Sequence, residues 1–180
     1  LYTRFITMAL KDMGFIEFEE PFKKFRAHGL ITKDGVKMSK SKGNVVNPDQ
    51  YFKKYGADTV RMYLMFLGPF SEGGDWNDKG ILGITRFLNR VWNLVLKSDL
   101  GTTKSDLGNE ALRHKTIKNV TEDLENLRYN TAIAALMEYL NEMSNVKAQM
   151  SKADIETLLV LLVPFAPHIT EEIWSSLGHK

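Results

Sequence analysis

The strongest constraint on the fold is the apolar spacing in the second half of the chain. Ile84, Phe87, Leu88, Val91, Trp92 and Val95 recur every three or four residues, which lines them up on one face of a helix. Ile117, Val120, Leu124 and Leu127 repeat the pattern, as do Ile133, Leu136, Met137, Leu140 and Met143. Ser151 is placed to cap a further helix carrying Ile155, Leu158, Leu159 and Leu162, stopped by Pro164 and Pro167. Ile169 to Leu177 starts a last one. Each helix must bury its stripe, and several of them joined by short connections do so as an antiparallel bundle. Ser98 to Gly108, rich in Gly, Ser, Thr and Asp, reads as a linker.

The first part has a different grain. Leu1 to Met13 reads as the tail of a helix with Gly14 as its C-cap. Phe15 to Val36 is short-patterned and aromatic, broken by Pro21 and by Asp34-Gly35, a hairpin dipeptide, so a strand or two around an irregular basic loop is expected. Asn47-Pro48-Asp49-Gln50 has the residues of a helix start, with Asn at N-cap, Pro at N1 and Gln at N3 for a capping box. Gly56 ends that helix, Asp58 to Leu67 forms another, and Phe70 to Asn77 reads as a loop. The expected fold is mainly α: a small α/β segment over residues 1–70, followed by an antiparallel helical bundle over 71–180. The chain opens at Leu1 inside an apolar-periodic run, so it reads as a piece of a longer protein.

Composition narrows the chemistry. An apolar fraction of 43% with 26% charged residues is that of a globular protein. The absence of cysteine excludes disulfides, thiolate metal sites and a cysteine nucleophile. Four scattered histidines, none in an HxxxH or HExxH spacing, offer no metal centre. No apolar run approaches the roughly 18 residues of a membrane span, and no leader-like segment opens the chain.

Charge is unevenly spread. Residues 23–42 hold Lys23, Lys24, Arg26, Lys33, Lys37, Lys40 and Lys42 against Asp34 alone, a local +6 in a chain of net charge +2. Within this island lies Val36-Lys37-Met38-Ser39-Lys40-Ser41-Lys42-Gly43-Asn44. Lysine ammonium groups are mobile point charges, serine hydroxyls donate to phosphate oxygens, and a glycine lets backbone N–H groups turn inward. Such a loop suits a polyphosphate. Cations aimed at a departing pyrophosphate stabilise the transition state more than the ground state, by about 2–4 kcal/mol per contact.

The string Lys37-Met38-Ser39-Lys40-Ser41 matches the second signature of class I aminoacyl-tRNA synthetases, the KMSKS loop. Gly43 to Pro48 and Tyr55-Gly56-Ala57-Asp58-Thr59-Val60-Arg61 resemble the segment after that loop in the leucine, valine and isoleucine enzymes. Gly68-Pro69-Phe70 through Asp75-Trp76, Arg86 to Trp92, and Glu125 to Ala132 narrow the resemblance to leucyl-tRNA synthetases. Pro164 to Ile169 through Glu171-Glu172-Ile173-Trp174 adds a block shared by the helical anticodon-binding domains of these enzymes.

The resemblance implies activation of leucine with Mg-ATP and transfer to tRNA(Leu) by a cytoplasmic monomer. It assigns stabilisation of the pyrophosphate to Lys40 with help from Lys37. Ser39 and Ser41 add hydrogen bonds to ATP, and Met38 sets the loop beside the adenine. The His-x-Gly-His tetrad of the class is missing, since Ala27-His28-Gly29-Leu30 is not it, and so are the amino-acid pocket and the first nucleotide-binding half. Only Leu30 to Val36 separate Gly29 from Lys37, so the leucine-specific insertion before the loop is absent too. This chain by itself is therefore expected to be inactive, with no metal held by its own ligands. The alternative is a non-catalytic RNA-binding helical module that keeps the lysine loop only as a phosphate contact.

Arg86, Arg90, Asn93 and Lys97 form a polar edge opposite the first stripe, a candidate contact to the tRNA backbone against the plainer reading of a solvated helix face. His28 and His168 read as structural, and Trp92 and Trp174 as packing residues. Trp76, in a glycine-rich loop, has no assigned place. The eight methionines read as core filler.

Overall fold

A computed structural model describes residues 1–97, 110–145 and 151–179. Among these residues there are eight α-helices and three short strands. The order is α1 (Tyr2–Asp12), β1 (Leu30–Lys33), β2 (Val36–Lys37), a 3-10 turn (Lys40–Lys42), α2 (Pro48–Tyr55), α3 (Ala57–Phe66) and β3 (Gly73–Trp76). The helices α4 (Ile81–Lys97), α5 (Glu110–Glu125), α6 (Tyr129–Asn145), α7 (Lys152–Leu162) and α8 (Pro167–Ser176) complete it.

The N-terminal helix stops as expected. Gly14 takes φ +76°, its N–H bonds the Lys11 carbonyl at 2.8 Å, and the Phe15 N–H bonds that of Leu10 at 2.9 Å, a Schellman closure. The next segment folds back on α1, where Arg4 forks onto Glu20 and Lys11 meets Glu19. Phe5, Ile6, Met8, Met13 and Phe15 remain exposed. Met62 and Met143 do fill the core, whereas Met8 and Met13 correct the expectation for all eight methionines.

Asp34 and Gly35, at φ 54° and 71°, make the turn between β1 and β2, which pair antiparallel with Thr32 opposite Lys37. Within the expected loop over 70–77, Gly73–Trp76 form strand β3, parallel to β1 with Thr32 beside Asp75, while the flanking residues stay irregular. Gly73-Gly74-Asp75-Trp76 lacks the β-branched residues that mark a strand. Its place is set by close backbone approach: a Cβ on Gly73, which has φ +79°, would lie 2.1 Å from the Leu30 oxygen. Asn47 caps α2 through the Asp49 N–H at 3.0 Å, an Asx turn, and Pro48 stands at N1. Gln50 makes no reciprocal bond, so the capping box is half formed.

One core runs from α3 to α8. Val60 and Met62 on α3, Ile84 and Val91 on α4, Ile133, Leu136 and Leu140 on α6, and Ile155, Leu158 and Leu162 on α7 are all fully buried. Trp92 and Trp174 pack at its margin as expected. The α5 stripe is the exception. Val120 is buried, but Leu127 lies beyond the helix at φ 57°, where the Arg128 N–H closes on the Asp123 carbonyl at 2.7 Å. A left-handed C′ position normally taken by glycine here carries leucine. The expected linker from Ser98 to Gly108 lies outside the described residues. Among the described residues, no helix is long and apolar enough to cross a membrane.

Candidate functional site

The lysine loop leaves strand β2 at Lys37 and is closed by one side chain. Asn44 Oδ1 accepts the Ser39 N–H at 2.8 Å, and Asn44 Nδ2 donates to the Lys37 carbonyl at 3.2 Å. A single amide thus ties both ends of the segment 37–44 together. Between them, residues Lys40–Lys42 wind into a 3-10 turn that ends at Gly43, in the left-handed region at φ 66°. Met38 is half-buried and packs against the core, which anchors the loop from below. Ser39 and Ser41 hydroxyls stand 3.2 Å apart.

Lys37, Lys40 and Lys42 are exposed, and none forms an ion pair among the described residues. Cations brought together without an internal counterion leave their charge for an external anion. Lys37 thus ends strand β2, Met38 and Ser39 lead out of it, and Lys40 and Ser41 lie in the 3-10 turn, all within the segment that Asn44 closes. Sequence reasoning missed Asn44, although an amide side chain just after a glycine at the end of a polar run is a known device for bonding nearby backbone.

Two carboxylates from the β3 side support the hairpin that carries the loop. Asp75 Oδ1 accepts the Thr32 hydroxyl at 2.6 Å and the Gly35 N–H at 2.8 Å, and these bonds hold its carboxyl below the ordinary carboxylate range. Asp78 Oδ1 accepts from the Tyr51 hydroxyl and from Trp76 Nε1, the latter at 2.9 Å, and both bonds lower its pKa. Lys33 Nζ lies 3.6 Å from Asp78 Oδ2. Trp76 now has its place: it is buried, with Tyr51 and Tyr63 edge-on at 4.7 and 5.1 Å between ring centroids.

A third carboxylate joins the loop-bearing part to the bundle. Asp58, near the start of α3 and 8% exposed, accepts the Ile169 N–H at 2.7 Å and His168 Nδ1–H at 2.7 Å. It caps the first turn of α8 from 110 residues away in sequence. Arg61 Nη2 donates to the Pro164 carbonyl at 3.3 Å. Two strings that lie far apart in the sequence, Gly56 to Arg61 and Pro164 to Ile169, thus form one joint. His168 is structural here, as expected, and His28 bonds only its neighbour's carbonyl, at 2.8 Å.

The candidate tRNA edge is less uniform. Arg86 is exposed, while Arg90 is turned onto α6, donating to Asn141 Oδ1 at 2.7 Å and reaching Ser144 Oγ at 3.5 Å. Asn93 bonds the Asn89 carbonyl at 2.8 Å. The side chain of Lys97 lies outside the described residues.

Comparisons with known proteins match two stretches of the chain to two families. The family of class I tRNA synthetases for Ile, Leu, Met and Val matches residues 2–76, and the anticodon-binding domain of tRNA ligases matches residues 110–180. The leucine–tRNA ligase of Dehalococcoides mccartyi is 48% identical over 188 residues, covering 99% of this chain and 23% of its own length. That of Chlorobaculum parvum is 49% identical over 185 residues, covering 99% and 23%. A crystal structure of the ternary complex of Agrobacterium radiobacter LeuRS with tRNA and LeuAMS superposes with a TM-score of 0.84 at 36% identity, over 98% of this chain and 25% of that one. The chain spans about a quarter of the length of the relatives it matches, and it belongs to the leucine–tRNA ligase family of class I tRNA synthetases.

Proposed function

We propose that the chain acts within a complete leucine–tRNA ligase, supplying the pyrophosphate-binding loop of the catalytic core and part of the tRNA-binding surface. The carrying observation is the clamped loop: three exposed lysines along the segment 37–44, with Asn44 holding its ends together and none of the three in an ion pair among the described residues. In this reading Lys40 and Lys37 stabilise the charge that develops on pyrophosphate as leucine attacks the α-phosphate of Mg-ATP. Ser39 and Ser41 orient the phosphates by hydrogen bonds, and Met38 holds the loop at its working height against the core. Lys42 adds to the field. The helical part meets the tRNA(Leu) backbone with Arg86, Arg90 and Lys97. The chain alone is inactive, because the His-x-Gly-His tetrad and the leucine pocket belong to other parts of the enzyme. The exposed apolar residues of α1 support this reading, since the remaining core would cover them.

The test is Lys40→Ala in the full-length enzyme, read by ATP–pyrophosphate exchange. Loss of one cation at the transition state is expected to lower the rate at least about thirtyfold, from about 2–4 kcal/mol. A change below about threefold, under 1 kcal/mol, refutes the assigned role.

A further inference from the structure

The hairpin that launches the loop is too small to hold itself. Strand β2 has two residues, Val36 and Lys37, and its turn places Asp34, a non-glycine residue, at φ 54°. A two-stranded ribbon of this size is marginal in water, and a left-handed residue adds strain to it. Three lysines within six residues also repel one another across the adjoining loop. Something outside the hairpin must fix where Lys37 points.

Asp75 meets that need. It lies on β3 beside Thr32 in the parallel register, and Thr32 in turn pairs across the hairpin with Lys37. Its Oδ1 atom takes the Thr32 hydroxyl from the strand and the Gly35 N–H from the turn, at 2.6 and 2.8 Å. The ladder already joins the first and third strands, and this one oxygen adds the turn to that unit. The contacts span 40 and 43 residues, so they are not a by-product of local turn geometry.

Asn44 closes the base of the loop. That amide holds the two ends of the segment to each other; where the clamped segment sits on the sheet is left to the hairpin, and so to Asp75. We propose that Asp75 is a positioning residue for the adenylation step, acting through the Thr32–Gly35 hairpin to hold Lys37 and the turn after it in the geometry that meets pyrophosphate; this rests on the function proposed above. The requirement is for an acceptor oxygen at one place, and the carboxylate's charge is secondary. Asparagine can supply that oxygen and alanine cannot.

The experiment compares Asp75→Ala, Asp75→Asn and Lys40→Ala in the full-length enzyme by ATP–pyrophosphate exchange, with rates normalised to active-site titration. Asp75→Ala is expected to lower kcat about tenfold while the KM for leucine stays within twofold. Asp75→Asn is expected to recover at least half of the wild-type kcat. The assignment is overturned if Asp75→Ala stays within twofold in kcat or if Asn fails as badly as Ala. It is overturned equally if the whole loss is a smaller active fraction, which would mean a merely structural role. When Lys40→Ala is impaired and Asp75→Ala is silent, this assignment falls alone. When Lys40→Ala is also silent, the loop reading falls and takes it along.

Discussion

Removing the Asp154 side chain should cost this chain more stability than any surface change, because three helices meet on it. Asp154 is 1% exposed and stands in the first turn of α7. Its Oδ1 accepts Arg113 Nη1 from α5 at 3.2 Å and the Tyr139 hydroxyl from α6 at 3.0 Å. Its Oδ2 accepts the Ser151 hydroxyl at 2.8 Å and backbone N–H at 3.3 Å, completing a capping box with the Asp154 N–H. Asp154→Ala therefore removes half of that box, about 1 kcal/mol. It also strands the hydroxyl of Tyr139, a residue 1% exposed, worth about 1–3 kcal/mol. Arg113, whose side chain is 14% exposed, loses its carboxylate as well. Breaking a buried pair from one side costs about 3–5 kcal/mol in all, so we take about 4. For a chain of this size that lowers Tm by about 8–16 °C, read by far-UV circular dichroism. The double variant Asp154→Ala/Tyr139→Phe checks the mechanism. If the stranded hydroxyl carries part of the loss, removing it must be less costly in the Asp154→Ala background than in the wild type. A loss below about 1 kcal/mol for Asp154→Ala, or equal effects of Tyr139→Phe in both backgrounds, would refute the reasoning.

The same network sets an alkaline limit. Burial, and then the neighbouring Asp154 charge, push the Tyr139 phenol far above its ordinary value of 10.0. Folded and unfolded chains bind the same proton below about pH 10, whereas above it only the unfolded chain ionises, so stability is kept below that pH and lost as pH rises. Tyr139→Phe should show a smaller loss between about pH 10 and 12 in denaturant titrations, and an unchanged alkaline slope would exclude Tyr139 as its source. On the helical edge, Arg86→Ala should weaken tRNA binding by the full-length enzyme and reduce the slope of log K against log salt by about 1. Arg90→Ala should do less, because its guanidinium is already held by Asn141. An unaltered slope for Arg86→Ala assigns that helix face to solvent.

Much of this architecture is legible without coordinates, and the reason is locality. Stripes such as Ile84, Leu88, Val91 and Val95 report a helix and its buried face together, since side-chain spacing alone decides both. Asp34-Gly35, Asn47-Pro48 and Ser151 act within a few residues of themselves, and each stands where its chemistry places it. The loop from Lys37 to Ser41 is readable for the same reason, being one contiguous string. The departures share the opposite cause. Gly73 to Trp76 becomes a strand only because β1 offers it a backbone edge, and Trp76 finds its pocket only between Tyr51 and Tyr63. Leu127 continues a helical period in sequence, yet the chain must turn there to bring α6 against α5. The supports of the site are of this kind as well. Asp75 reaches the hairpin, and Asp58 reaches the start of α8, across separations that spacing in one sequence does not reveal. Sequence determined which groups carry the loop's charge, because type and order are local. Tertiary structure alone decided how firmly they are held, because a hydrogen bond depends on distance in space and the chain brings its partners together only when it folds.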